Sequence, residues 1–269
     1  MTDPFKTWGI KHLSPSSINL YIADPAMWIL KYLTGFRGPG SPAMWRGTVV
    51  DGGIGKYYGL HENQPNVKSI TTCQEEAQDN MMTLMDLSIK NKEYKGDDDE
   101  MLKKFGKEYG DVPAYIRTAI NYYDSLSEKP IGYQEKVIYE AKGLSVPILG
   151  YIDLTYEDTI RDIKTTGRKV SEVSNAIQRQ LSLYGHVKGC VPIVDFVLVQ
   201  KNTNSVSSHT ILDVKANTKV LEQGANGIKN LLSISDDIND LIALFVPNLD
   251  DWRWDKVTTK AGKSLWRIK

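Results

Sequence analysis

Cysteine is nearly absent from this chain, with only Cys73 and Cys190 among 269 residues. Two cysteines far apart in sequence cannot build a disulfide framework, and they cannot form a four-cysteine zinc or iron–sulfur site within one chain. Histidine is also scarce, and the four histidines show no metal-binding spacing. Any metal site in this protein is therefore expected to use oxygen ligands.

Long apolar runs are missing as well. No segment approaches the roughly 18 consecutive apolar residues that span a bilayer, and the N-terminal segment MTDPFKTWGIKHL lacks the apolar core of a signal peptide. We therefore expect a cytoplasmic protein without a membrane partner. The 33 Lys and Arg residues balance 33 Asp and Glu residues, so the net charge gives no argument for a nucleic-acid partner.

A phosphate-binding loop is absent too. The segment around Gly52 to Lys56 has Val50 in place of the first glycine of G-x-x-x-x-G-K-[ST], and Tyr57 in place of the final Ser or Thr. Nucleotide hydrolysis by a P-loop is therefore excluded.

The order of apolar and polar residues predicts an α/β protein whose first part is helical. Helices are expected at about 15–33 (two short helices or one with a break), 43–59, 74–91, from the acidic run 97–100 onward, and at 112–127. Strands are expected at about 133–141, 146–155, 159–165, 191–201 and 207–214, with helices at 171–188 and 219–245. This order predicts a central mixed β-sheet flanked by helices, in a single domain over 1–269 with a helical part to about residue 130 and an α/β core from about 131.

The segment GYIDLTYEDTIRDIKTTGR contains the trio Asp153, Asp162 and Lys164. Two β-like runs flank the polar turn YED and predict a hairpin. Side chains two residues apart on a strand share a face, so Asp162 and Lys164 should point the same way and Ile163 into the core. Closure of the hairpin would bring Asp153 near that face. Two carboxylates can bind a divalent cation, and a neighbouring lysine could hold an attacking water or offset charge on a scissile phosphate.

Other polar residues could extend this site. Glu135, on the preceding predicted strand, offers a further hard oxygen ligand of the kind that Mg²⁺ or Mn²⁺ takes. Gln180 and Tyr184 are spaced i,i+4 and share one face of a predicted helix. Arg168 and Lys169, directly after the DIK strand, could contact a nucleic-acid backbone.

Each of these features also has a structural explanation when taken singly. A D-I-K sequence on a strand is more typical of a charge pair on an edge strand, and Gln180 with Tyr184 is more typical of a helix surface that meets a core. For Glu135, a metal ligand and an exposed strand residue are equally good interpretations. The C-terminal segment 252–269 combines six Lys or Arg residues with three tryptophans, which suits a phosphate backbone with stacked bases and equally a C-terminal strand or arm with a solvated charged face.

The ensemble resembles the PD-(D/E)XK nuclease superfamily, and within it the RecB-type exonucleases with their viral and CRISPR-associated relatives. Five segments carry the resemblance in family order: LSPSSINLYIADPAMWILKYL for S-x-S-x-L-x-x-Y-x-x-C-P-x-x-F, GTVVD (Gly47 to Asp51) for G-T-x-x-H, GYID (Gly150 to Asp153) for G-x-x-D, DIK (Asp162 to Lys164) for D-x-K, and Gln180 with Tyr184 for Q-x-x-x-Y. Any one of these matches is weak, and their common order makes the set specific.

The resemblance implies a restriction-endonuclease-like α/β fold and a metal-dependent DNA nuclease, more an exonuclease than an endonuclease, in phage-type recombination, replication or repair. It implies one or two Mg²⁺ or Mn²⁺ ions bound by Asp153, Asp162 and the Ile163 carbonyl, with Lys164 catalytic and Gln180 and Tyr184 positioning the DNA or the site. The substrate would be linear or single-stranded DNA. A homo-oligomer, such as the ring of lambda-exonuclease-like relatives, and a recombination partner protein both stay open.

Two positions depart from the family pattern. Asp51 stands where the family has a histidine; a carboxylate there could still bind metal and would favour harder ions such as Mg²⁺. Asp24 stands at the family cysteine, and since members with an iron–sulfur cluster use four cysteines, no such cluster is expected here. Two rival functions follow. The first is a nuclease-fold DNA-binding protein that does not cut, which Asp51 and the zero net charge favour and the intact D…DxK set argues against. The second is a site-specific endonuclease, which would need base-reading elements.

Overall fold

The computed structural model of the protein describes residues 3–62, 66–91 and 99–269. The helices are α1 (Pro4–Thr7), α2 (Pro15–Ala23), α3 (Pro25–Tyr32), α4 (Pro42–Tyr57), α5 (Ile70–Lys90), α6 (Asp99–Ser125), α7 (Asn175–Lys188), α8 (Val214–Leu232), α9 (Ile238–Ile242) and α10 (Lys256–Trp266). The strands are β1 (Gly132–Tyr139), β2 (Ile148–Thr155), β3 (Thr159–Thr166), β4 (Val191–Gln200) and β5 (Thr203–Thr210).

The five strands form one sheet in the order β1-β2-β3-β4-β5. The β3–β4 pair is parallel, with α7 as its crossover, and the other neighbouring pairs are antiparallel. One face of the sheet packs against α2, α7 and α8, and the opposite face packs against α4, α5 and α6. The predicted fold class, a mixed sheet flanked by helices with a helical N-terminal part, is confirmed.

Helix α6 is longer than the sequence indicated. Two helices were expected there, one beginning at the acidic run and one over 112–127, and proline usually breaks a helix interior. The structure has a single helix with Pro113 inside it. Pro113 lacks the N–H that would bond the Tyr109 carbonyl, and the Gln78 side chain from α5 donates to that carbonyl instead, at 3.2 Å. Of the acidic run, Asp97 and Asp98 lie outside the described residues.

The elements after β4 also differ from expectation. The predicted turn at 202–204 is shorter, since Gln200 already pairs with Thr203 and a two-residue turn closes the hairpin. The single helix expected over 219–245 is divided into α8 and α9. Between them the chain turns away from α8, where the Ser235 carbonyl accepts a hydrogen bond from Trp8 Nε1 (3.2 Å) and Asp237 caps α9.

The C-terminal segment is a helix rather than a strand or an arm. Helix α10 packs against α3, and Trp254 is buried in that contact. Trp254 Nε1 donates to the Asp24 carboxylate at 2.7 Å, and Trp266 Nε1 donates to the carbonyls of Ile242 and Phe245. Two of the three tryptophans in this segment are therefore packing residues and cannot stack on bases.

No helix in the described ranges combines the length and the apolar character that crossing a bilayer requires.

Candidate active site

The site begins where strands β2 and β3 separate. They pair only next to their turn, at Leu154 with Arg161 and at Thr155 with Ile160. Asp153 is the first residue beyond these pairs, and its Oδ2 accepts a hydrogen bond from the Ile163 backbone N–H at 2.8 Å. At the far end of β2, the backbone of Leu13 pairs with the edge that β3 leaves open. The Asp153 carboxylate thus occupies a notch in the sheet.

Asp162 and Lys164 lie side by side on β3. The Lys164 ammonium forms an ion pair with Asp162 Oδ2 at 2.6 Å, and Asp162 is only 3% exposed. Ile163 points to the opposite face and packs in the core with α4, α5 and α6. The predicted alternation along this strand is confirmed.

Helix α4 brings Asp51 to the same notch. Asp51 Oδ2 accepts hydrogen bonds from the Tyr133 hydroxyl (2.7 Å) and from Gln134 Nε2 (2.9 Å). Asp51 Oδ1 is buried and has no hydrogen-bond partner among the described residues. Arg46, one turn earlier on α4, fixes the helix to β3 because its guanidinium donates to the Thr165 hydroxyl and carbonyl, each at 3.2 Å.

Gln134 connects two of the carboxylates, and no pattern in the sequence indicates this contact. Its Nε2 donates to Asp51 Oδ2 at 2.9 Å and to Asp153 Oδ1 at 3.0 Å. Its backbone is left-handed, with φ +50°, which interrupts the alternation of β1. Tyr133 and Gln134 can therefore both reach Asp51, although neighbouring side chains on a regular strand point to opposite faces.

Helix α7 supplies the other side of the site. Gln180 Nε2 approaches Asp162 Oδ1 at 3.4 Å. Tyr184 is 4% exposed, and its phenol ring lies directly against the Cα of Gly150, where any Cβ would overlap it. The glycine of GYID and the tyrosine of the Q-x-x-x-Y pattern thus contact each other, and this contact holds α7 against β2.

The charges in this site are unbalanced. Burial raises the pKa of Asp51 to about 6, although the hydrogen bonds from Tyr133 and Gln134 partly oppose this rise. Burial and the charges of Asp162 and Asp51 raise the pKa of Asp153 well above its ordinary range. Burial lowers the pKa of Lys164, but the charges of Asp162 and Asp153 outweigh this and hold it above its usual value. Three carboxylates face one ammonium, an arrangement that a bound cation would stabilise.

An open cleft of about 1090 Å³ gives access to these residues from the α4 side. We call it the α4 cleft; its walls come from α4, α5, β1 and β3, and Asp51, Asp153 and Lys164 lie at its base. His61 also lines it and stacks on the Tyr133 ring, with centroids 5.7 Å apart.

The family model of the PD-(D/E)XK nuclease superfamily matches residues 12–189, which is more than half of the 269 residues. The chain belongs to the PD-(D/E)XK nuclease superfamily. No curated protein sequence matches the chain. A solved structure, described as the crystal structure of SSO0001, is similar with 12% identity and a TM-score of 0.32, over 66% of this chain and 84% of the other; at that score the likeness carries no argument.

Membership in the PD-(D/E)XK superfamily implies a nuclease with DNA as its class of substrate. The matched range includes Asp51, Asp153, the DIK triplet, Gln180 and Tyr184, and the structure brings all of them to one place. Their individual roles stay predictions.

Glu135, by contrast, is not brought to the carboxylates. Its side chain forms an ion pair with Lys188 at the end of α7 (2.8 Å) and accepts a hydrogen bond from the Thr155 hydroxyl (2.6 Å). These two donors hold the pKa of Glu135 below its ordinary value. Because the left-handed Gln134 takes the place beside Asp153, the structure does not bring Glu135 to these carboxylates, and a metal-binding or catalytic role for Glu135 stays a prediction.

Arg168 and Lys169 lie just beyond β3 with exposed side chains. The Thr166 hydroxyl accepts from the Arg168 backbone N–H at 3.1 Å and fixes the turn. Among the described residues, neither side chain forms a hydrogen bond or ion pair with the carboxylates, so a contact with the DNA backbone stays a prediction.

The donors fit a hard divalent cation by their chemistry. Asp51, Asp153 and Asp162 supply carboxylate oxygens, which Mg²⁺ and Mn²⁺ prefer, and the unpartnered Asp51 Oδ1 is an available ligand atom. As the described side chains stand, no group of three or more His, Cys, Asp or Glu is close enough to hold an ion. The Gln134 amide lies between two of the carboxylates and Lys164 pairs with the third, so cation binding would require these side chains to move.

Proposed function

We propose that this PD-(D/E)XK nuclease is a divalent-metal-dependent deoxyribonuclease of the RecB exonuclease type, which acts on DNA ends or single strands. The observation that carries the proposal is that Asp51, Asp153 and Lys164, from one helix and two strands, line one open cleft, with the buried Asp162 paired to Lys164. The preference for an exonuclease, and for a place in phage-type recombination, replication or repair, rests on the resemblance of the motif order to RecB-type exonucleases.

The metal would be Mg²⁺ or Mn²⁺, as one or two ions. Asp153, Asp162 and Asp51 would hold it, together with the Ile163 carbonyl. When bound, such an ion supplies Lewis acidity, which lowers the pKa of a water nucleophile and offsets negative charge on the phosphate.

Lys164 acts as a cation rather than as a general base. Because neighbouring carboxylates hold its pKa above the ordinary range, its ammonium is protonated at neutral pH. It can therefore donate hydrogen bonds to the attacking water or to a phosphate oxygen, and stabilise the charge that develops there. Asp162 positions it through the 2.6 Å ion pair.

The DNA or the site itself would be positioned by Gln180 and Tyr184, and the DNA by Arg168 and Lys169. Gln180 and Tyr184 flank Asp162 from α7, whereas Arg168 and Lys169 offer exposed positive charge beyond β3 for phosphate contacts.

The test uses end-labelled linear and closed circular DNA, single- and double-stranded, with Mg²⁺, Mn²⁺ or EDTA. We expect cleavage that requires metal, spares closed circles and falls about 10²–10³-fold in Lys164→Met, the loss typical of one electrostatic donor in an active site. Asp162→Asn should abolish it. Asp158→Asn is the matched control, since this aspartate is exposed on the turn of the same hairpin.

Cleavage that persists in EDTA, or in Asp162→Asn, would refute a metal-dependent site at these residues. Cutting of closed circles would replace the exonuclease by an endonuclease. Metal-dependent DNA binding without cleavage would identify a nuclease-fold binding protein.

A further inference from the structure

A second concavity lies on the α7 side of the catalytic carboxylates, away from the α4 cleft. It has a volume of about 560 Å³ and runs between α2 and α7 to the segment that precedes α10. We call it the Trp252 groove; its polar and aromatic walls include Ser16, Asn19, Lys31, Gln180, Trp252 and Arg253.

Gln180 joins this groove to the active site. The same side chain lines the groove and places its Nε2 3.4 Å from Asp162 Oδ1. The groove and the catalytic Asp162 are therefore in contact through one side chain.

Trp252 has the exposure of a binding residue rather than a packing residue. It is 83% exposed, whereas Trp254 nearby is 5% exposed. The Arg253 guanidinium lies over the Trp252 ring at 4.9 Å, and two hydrogen bonds to Asp251 (2.9 and 3.0 Å) hold that guanidinium in place. A large apolar ring is thus kept in solvent next to a fixed cation.

The charge of the groove favours an anionic ligand. Lys31 and Arg253 line it, and none of the lining side chains in the described chain is acidic. Asp251 does not line the groove; its ion pair with Arg253 orients the guanidinium and offsets part of its charge, so Lys31 supplies the remaining positive charge. An aromatic face beside cations is the combination that binds single-stranded nucleic acid, since a base can stack while its phosphates meet the positive charge.

We propose that the Trp252 groove is a single-stranded DNA subsite, in which a base stacks on Trp252 while Lys31 and Arg253 contact the adjoining phosphates. This inference rests on the proposed function, because it continues the path of the substrate strand past Asp162. A duplex does not fit the role, since its bases already stack on one another and their faces are not free.

Binding measured without metal tests the groove separately from catalysis. The probe is fluorescein-labelled oligothymidine of about 15 nucleotides, within the ~4–16 nucleotide footprint of single-strand binding modules, followed by fluorescence anisotropy in EDTA. Trp252→Ala should weaken binding about 5- to 150-fold, the loss of one base stacked on an aromatic ring, and Trp252→Phe should keep most of the affinity. Leu212→Ala is the matched control, because Leu212 is 72% exposed and lies outside the groove.

A blunt duplex of the same length should bind the wild type and Trp252→Ala with the same affinity. The proposal is overturned if Trp252→Ala binds oligothymidine as tightly as Leu212→Ala does, if the duplex loses as much affinity as the single strand, or if the wild type does not bind the single strand. Metal-dependent cleavage, scored with Asp162→Asn, is a separate result. If the protein cleaves DNA and Trp252→Ala binds oligothymidine normally, the groove proposal fails and the nuclease proposal stands. If binding depends on Trp252 but no cleavage occurs, the nuclease proposal fails and the groove proposal stands.

Discussion

Gln134 makes two contributions to stability that have opposite signs, and substitution by alanine and by glycine separates them. The amide donates hydrogen bonds to Asp51 and Asp153 at 2.9 and 3.0 Å, which stabilise two buried carboxylates. The backbone at φ +50° is costly for any residue with a Cβ. Both substitutions remove the amide, and only glycine relieves the backbone.

The magnitudes follow from these contacts. A hydrogen bond to a charged group contributes about 1.5–3 kcal/mol, and water entering from the open cleft would replace part of what is lost, so we expect Gln134→Ala to lower the free energy of unfolding by about 2–4 kcal/mol. The left-handed conformation costs about 1–2 kcal/mol, while glycine adds about 0.5–1 kcal/mol of entropy to the unfolded chain. Gln134→Gly should therefore be more stable than Gln134→Ala by up to about 1.5 kcal/mol.

The assay is urea unfolding of both variants in EDTA near neutral pH. The matched controls are Lys136→Ala and Lys136→Gly, since Lys136 is exposed on the same strand and is not among the residues with positive φ. Here the alanine variant should be the more stable one, because glycine usually destabilises a strand. Added Mn²⁺ should reduce the loss in Gln134→Ala, because a bound cation would offset the carboxylates in place of the amide.

The reasoning is refuted if Gln134→Ala is at least as stable as Gln134→Gly, since the left-handed backbone would then carry no cost. A loss below about 0.5 kcal/mol in Gln134→Ala, within the range of ordinary surface substitutions, would show that the amide does not stabilise Asp51 and Asp153.

Two further predictions concern packing and pH. Gly150→Ala should lower the free energy of unfolding by about 1–3 kcal/mol in urea titrations, because its Cβ would overlap the Tyr184 ring; Gly106→Ala, in the open on α6, should instead raise it by about 0.5–1 kcal/mol. Burial raises the pKa of Asp51 from 3.8 to about 6, so the folded metal-free protein binds this proton more tightly than the unfolded chain does. The contribution of Asp51 to stability should be fully present below about pH 4 and fall by up to about 3 kcal/mol as the pH rises through 6, so the comparison is made with Asp51→Asn over the same pH range. Mn²⁺ should consequently raise the melting temperature more at about pH 7.5 than at about pH 5, and equal increments in thermal melts at both values would contradict this.

The parts of the site that sequence could predict are those governed by local pattern. A period-2 alternation around a polar turn placed Asp162 and Lys164 on one face of a strand, and i,i+4 spacing placed Gln180 with Tyr184. Each of these relations depends only on the regular geometry of one strand or one helix. Contacts between distant segments, such as Gly150 against Tyr184, could be anticipated only as members of an ordered motif set.

The parts that sequence could not predict depend on exceptions or on tertiary partners. Gln134 adopts a left-handed backbone that glycine or asparagine would have signalled and glutamine does not. Pro113 stays inside α6 because Gln78 of another helix satisfies the Tyr109 carbonyl, and propensity contains no information about that neighbour. Trp254 is buried because α3 lies beside it, which the composition of the tail could not reveal.

The carboxylate of Asp51 accounts for the departure of β1 from a regular strand. A neutral imidazole at that position would leave two carboxylates and one lysine in the notch, whereas Asp51 adds a third negative charge close to Asp153 and Asp162. Before a cation binds, that charge needs hydrogen-bond donors, and Tyr133 with Gln134 supplies them. A regular strand could present only one of two neighbouring side chains to this face, so the left-handed residue follows from the need for both. The same argument accounts for Glu135: once Gln134 takes the position beside Asp153, the next side chain turns to Thr155 and Lys188, and a fourth carboxylate is kept out of the site.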